Sequence, residues 1–168
     1  SALSTNGYSL TGYTFGGWAK TESGNAEIND GANVLNLTSV PNGVVTLYAT
    51  WTENSYTVKF DGNGETSGEM SDMTYTYTES KALNENKFER TGYTFGGWAK
   101  SSGATTAERA DKESVSMLTA ENNGTVTLYA QWRAHTYNVK YDGNGNTGGS
   151  TADSSHTYDV AKYLTTNG

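Results

Sequence analysis

The chain has 168 residues, no cysteine, and 18 acidic against 11 basic side chains, for a net charge of −7. The missing cysteines exclude disulfide staples, thiolate metal sites and thiol nucleophiles, and the negative balance argues against a nucleic-acid backbone or an anionic membrane surface as partner. Hydrophobic residues are scarce at 34% while aromatics reach 12%, so a core here must be built from few, large rings.

No apolar run approaches the roughly 18 residues that a membrane-spanning helix needs, and no membrane insertion is expected of this stretch. Near the N-terminus, Tyr13-Thr-Phe-Gly-Gly-Trp18 alternates aromatic and polar positions up to a Gly-Gly pair. Strict period-two alternation would place Tyr13 and Phe15 on one face and Trp18 on the other. A β-bulge at Gly16-Gly17 shifts the register by one and returns Trp18 to the aromatic face. The same holds for Tyr93, Phe95, Gly96, Gly97 and Trp98, because Thr11–Lys20 recurs letter for letter as Thr91–Lys100.

Further strands follow in order. Thr46-Leu-Tyr-Ala-Thr-Trp51 predicts a strand, repeated as Thr127-Leu-Tyr-Ala-Gln-Trp132. Tyr56, Val58 and Phe60 alternate with polar residues, and Asp61-Gly-Asn-Gly64 closes that strand with a turn; Tyr137–Gly145 repeats both. Met73, Tyr75 and Tyr77 alternate with Thr and predict the second arm of a hairpin. Between the third and fourth strands of the period, Ala107–Leu118 carries Val115 and Leu118 at a spacing that suits one or two helical turns.

The matches lie 80 or 81 residues apart, so the chain holds two periods. Ala2–Gly7 resembles Tyr163–Gly168, which puts both ends at nearly one phase. Short polar joints at Thr52–Ser55 and Arg133–Thr136 then divide it into residues 1–53, the back half of one repeat; 54–134, a complete repeat; and 135–168, the front half of another.

The order strand–DGNG, GYTFGGWA, TLYAxW at this period resembles the Listeria–Bacteroides repeat, the family that includes the internalin-type B repeat. The resemblance covers essentially the whole chain in permuted phase. It implies small tandem β-grasp-like domains, beside the mainly β or α+β fold, a mixed sheet with a minor helical crossover, that the residues themselves predict. It also implies export to the bacterial cell surface and no enzymatic activity.

Candidate sites are few. Asp61, Asn63 and Glu65, and likewise Asp142, Asn144 and Asn146, could supply oxygens at positions 1, 3 and 5 of a calcium loop. Neither copy has the Gly at position 6 or the Glu at position 12, so a hairpin turn is the better reading and no cofactor is expected. Tyr48 and Tyr129 could form an aromatic platform for a sugar, though cross-strand packing is the better reading. Lys59 and Lys140 sit on first strands, as isopeptide-forming lysines do, but the last strand offers no Asn. His135 and His156 are too few for a metal site, and no catalytic triad or phosphate loop is present. Tyr13, Phe15, Gly16, Gly17, Trp18 and Trp51, with Tyr93, Phe95, Gly96, Gly97, Trp98 and Trp132, are expected to be structural.

These residues predict a non-enzymatic, extracellular stalk, spacer or fibre module, with short joints making a semi-rigid array. Its expected partners are neighbouring repeats in cis or copies of itself joined head to tail; a host protein or glycan is the second partner class.

Overall fold

The structure is a computed structural model that describes residues 1–166; the last two residues of the terminal match to Ala2–Gly7 lie outside it. The described residues form ten strands and no helix: β1 Tyr13–Ala19, β2 Tyr48–Glu53, β3 Ser55–Asp61, β4 Met73–Thr76, β5 Lys81–Ala82, β6 Tyr93–Ala99, β7 Ser114–Val115, β8 Gly124–Ala134, β9 Thr136–Val139 and β10 Ser154–Thr157. Four sheets result, ordered β1-β2, β4-β3-β8-β6, β5-β7 and β10-β9.

By contacts the chain divides into two compact units: Ser1–Lys59 with Asp72–Leu83 and Ser114–Val126, and Phe60–Ser71 with Asn84–Glu113 and Thr127–Gly168. The units do not follow the sequence period. Each contains one junction between periods.

In the first unit the alternation of β3 turns Tyr56 and Val58 inward, where they are buried with Tyr75 of β4, Leu83, Val115 and Leu118. Tyr56 and Tyr75 are direct cross-strand partners, stacked with ring centroids 5.4 Å apart at 7°. An aromatic pair of this kind adds about 0.5–1.5 kcal/mol to the area it buries.

In the second unit, β6 pairs antiparallel with β8 from Tyr93↔Ala134 to Ala99↔Tyr129, and the register slips between Phe95 and Gly97. Gly96 is the extra residue. Trp98 thereby comes within 5.0 Å of Phe95 and 4.9 Å of Phe60 and is fully buried. The same slip falls between Phe15 and Gly17 in β1–β2, with Phe15 and Trp18 5.1 Å apart.

The sheet is mainly as the alternation predicts, but the helical crossover is not there. Arg109 exchanges backbone hydrogen bonds with Trp98, at 2.8 and 3.0 Å, and Ser114–Val115 pairs with β5. Lys112 and Met117 both have positive φ, at 57° and 53°. Backbone groups committed to other strands cannot close an i→i−4 ladder, so the crossover is an irregular strand-like segment. Gly97 makes that approach possible: its φ is +119°, and a Cβ there would lie 2.5 Å from the Arg109 carbonyl oxygen.

Candidate functional site

Because the chain consists of repeats, the places where one period meets the next are its candidate functional sites. In the first unit a single residue, Asn54, separates β2 from β3. Its N–H donates to the Gly12 carbonyl at 2.9 Å, and its carbonyl accepts from Tyr77 N–H at 2.8 Å. One residue thus ties the lead-in of β1 to the chain leaving β4. The side chain is 7% exposed; Nδ2 donates to the Ala120 carbonyl at 2.8 Å and Oδ1 accepts from Thr14 Oγ1 at 2.6 Å.

Gly12 lies in the turn before β1 with φ +80°, and the Tyr77 ring rests on its Cα: an added Cβ would lie 2.0 Å from Tyr77 Cδ1. The Tyr77 ring also meets Tyr13 edge-on, with centroids 6.4 Å apart. Beside them the Glu53 carboxylate accepts from the N–H and Oγ1 of Thr78. The Thr78 hydroxyl, then its amide, hold the Glu53 carboxyl below the ordinary carboxylate range.

The second unit repeats the arrangement around His135. His135 N–H donates to the Gly92 carbonyl at 2.8 Å, and Tyr158 N–H donates to the His135 carbonyl at 2.9 Å. Gly92 has φ +79°, and a Cβ there would lie 2.3 Å from Tyr158 Cδ1. Tyr93 and Tyr158 meet edge-on at 5.8 Å. The polar partners change while the backbone does not: His135 Nε2 lies 2.9 Å from Thr94 Oγ1, and Tyr93 OH donates to Asp159 at 3.0 Å. That bond, followed by burial, raises the Tyr93 hydroxyl above its ordinary pKa.

Within the complete repeat, the asparagine of the DGNG turn faces inward. Asn63 Nδ2 donates to the carbonyls of Ala130 and Ser102, at 2.9 and 3.0 Å, while its N–H donates to Asp61 Oδ1 at 2.8 Å. Trp132 Nε1 donates to the Gly62 carbonyl at 2.8 Å. The turn therefore fastens β3 to β8. Among the described residues no cluster of metal-ligating side chains occurs.

Tyr48 and Tyr129 are half-buried, each opposite an alanine, Ala19 and Ala99. Trp51 and Trp132 meet Phe15 and Phe95 in matching edge contacts of 5.6 and 5.7 Å. Lys59 is exposed and pairs with Asp72 at 3.9 Å, so it lacks the burial an isopeptide lysine needs.

Asn54 and His135 fall inside the joints the sequence indicated, Thr52–Ser55 and Arg133–Thr136, whereas Gly12, Gly92, Tyr77 and Tyr158 did not stand out as joint residues. The available signal was the recurrence of a glycine just before the aromatic strand and of Thr-Tyr, Thr76-Tyr77 and Thr157-Tyr158, at the end of the hairpin.

Fold and joints define a tandem-repeat β protein. The sequence profile of the Listeria-Bacteroides repeat domain matches residues 2–50 and 56–131, and the chain belongs to that family. It is similar to a Gly-rich membrane protein of Evansella cellulosilytica, 33% identical over 140 residues that cover 82% of this chain and 16% of that protein. It is also similar to internalin H of Listeria monocytogenes, 32% identical over 123 residues covering 72% of this chain and 19% of internalin H. The chain thus spans less than a fifth of these relatives. No solved structure matches it.

Proposed function

We propose that the chain is a non-enzymatic stalk or spacer segment of a bacterial cell-surface protein, in which each repeat is held to the next by a short, stiff joint. One observation carries this reading: the same joint forms twice from residues one period apart, with a glycine under a tyrosine ring and one residue bridging both by backbone hydrogen bonds. A flexible tether would leave those backbone groups to water. Membership of a repeat family and likeness to an internalin support the surface setting.

Stiffness is measurable because the chain has no cysteine and accepts labels at will. Spin labels on Glu22→Cys and Glu121→Cys, both exposed and both within the first unit, should give a single narrow distance distribution. Gly12→Val should broaden it. A broad distribution in the otherwise native chain would remove the spacer reading.

A further inference from the structure

We propose that the cleft between the β6–β8 pair and the loop that follows β6 binds an acidic saccharide, whose carboxylate sits on Arg133 and Arg109 and whose hydroxyls meet the threonines of the loop. The cleft lies wholly within the second unit and inside the complete repeat. It encloses about 480 Å³, and its lining includes Gly96, Thr105, Thr106, Arg109, Gln131 and Arg133.

The first copy of the same element shows that these side chains are not needed for packing. In both copies the crossover returns to the tryptophan by one backbone pattern: Trp18 N–H donates to the Ile28 carbonyl at 2.8 Å, and Trp98 N–H to the Arg109 carbonyl at 2.8 Å. Isoleucine satisfies that position in the first copy, so the fold does not demand an arginine in the second. Across the bulge, Gly16 has Thr50 and Thr52 beside it, whereas Gly96 has Gln131 and Arg133. The loop differs as well. Ala26 lies six residues after Lys20, and Ala107 lies seven after Lys100. The residue that lengthens the period from 80 to 81 therefore sits in the wall of this cleft. Three substitutions and one insertion converge there, and each substitution replaces a smaller or apolar side chain with a longer polar one.

The groups are arranged to receive an anion. The Arg133 side chain lies over the bulge, where a Cβ on Gly96 would be 3.5 Å from its Nε. It is exposed and makes no ion pair among the described residues. Arg109 Nη1 donates to Glu113 Oε1 at 3.0 Å, and the other Glu113 oxygen accepts from Ala110 N–H at 2.7 Å. A carboxylate tied at both oxygens holds the guanidinium in place and leaves it donors to spare. Gln131 is 8% exposed and donates Nε2 to the Ser101 carbonyl at 3.3 Å, which pins the loop before any ligand arrives. The acid on the lining, Glu108, accepts from Lys100 N–H at 3.4 Å.

A guanidinium takes a carboxylate through two parallel hydrogen bonds, which suits a uronic acid. Thr105 and Thr106 are exposed and offer hydroxyls on the same wall. An extended peptide fits less well. It would bind by adding a strand, and β6 has already given its outward groups at Trp98 to Arg109. The proposal needs neither joint to be stiff.

The test titrates the 168-residue chain with a trigalacturonate and follows the Gly96, Thr105, Thr106 and Arg133 amides by NMR. These amides should shift together and saturate. Arg133→Thr and Arg109→Ile install the residues that the first copy carries, so both variants should fold, as unchanged amide signals away from the cleft would show. Each should weaken binding by about tenfold or more, the loss expected for a charge-assisted hydrogen bond. The methyl-esterified trisaccharide keeps its hydroxyls but loses its charge, and should be weakened to the same degree. No saturable shift with millimolar trigalacturonate overturns the proposal. So does either variant binding as the native chain does, and so does triglutamate binding as tightly as the saccharide, which would reduce the two arginines to a general patch for acids.

Discussion

Gly12→Ala separates two reasons for a glycine at the joint. The backbone there has φ +80°, a region in which a residue with a Cβ costs about 1–2 kcal/mol. The new Cβ would also lie 2.0–2.3 Å from three atoms of the Tyr77 ring, an overlap no contact tolerates. Tyr77 is only half-buried, so its ring can swing away. The steric cost is then capped at the ring's lost contact with Tyr13, about 0.5–1.5 kcal/mol. The total is about 2–3 kcal/mol, felt at the joint before the rest of the fold. Amide exchange reads it directly: the Asn54 and Tyr77 N–H groups should lose protection by about 30- to 150-fold. Gly7→Ala, where nothing lies within 4 Å, is the control and should change stability by less than about 0.5 kcal/mol. In a Tyr77→Ala background the ring is gone, and Gly12→Ala should keep only its backbone cost, leaving a coupling of about 1 kcal/mol. A coupling within about 0.3 kcal/mol of zero would refute the joint reasoning and leave Gly12 as a turn residue alone.

Two further outcomes follow from the cores of the units. Trp132→Phe deletes the Nε1 bond to the Gly62 carbonyl, whereas Trp51→Phe deletes no Nε1 bond among the described residues; regional exchange should show the first costing about 1 kcal/mol more than the second. Burial pushes the Tyr75 hydroxyl up from 10.0 to about 12. The folded state therefore holds its proton where the unfolded chain has lost it. The stability from this group is fully present below pH 10.0, declines as pH rises, and is lost by about pH 12. Denaturant titrations in that window should show the decline, and Tyr75→Phe should flatten it.

Much of the strand pattern was legible because it is local. Tyr56, Val58, Met73 and Tyr75 declare a two-residue period, and a Gly-Gly pair between Phe95 and Trp98 can be read as a bulge without knowing the partner strand. The crossover was misread for the complementary reason. Val115 and Leu118 have helical spacing, yet the backbone around them is claimed by Trp98 and β5, and a few side chains in a short segment cannot outweigh those hydrogen bonds.

What the sequence by itself determined is the repeat, its period, its family and the faces of its strands, since each rests on residues close together in the chain. Only the tertiary structure decided what the repeated motif is for at its first glycine. The left-handed turn at Gly12 or Gly92 is a local property, but the ring lying on it belongs to Tyr77 or Tyr158, far along the chain, and reaches it only through Asn54 or His135. The residues recur with the period, but nothing in the sequence says which of them touch; that contact exists only once the chain has folded back across the joint.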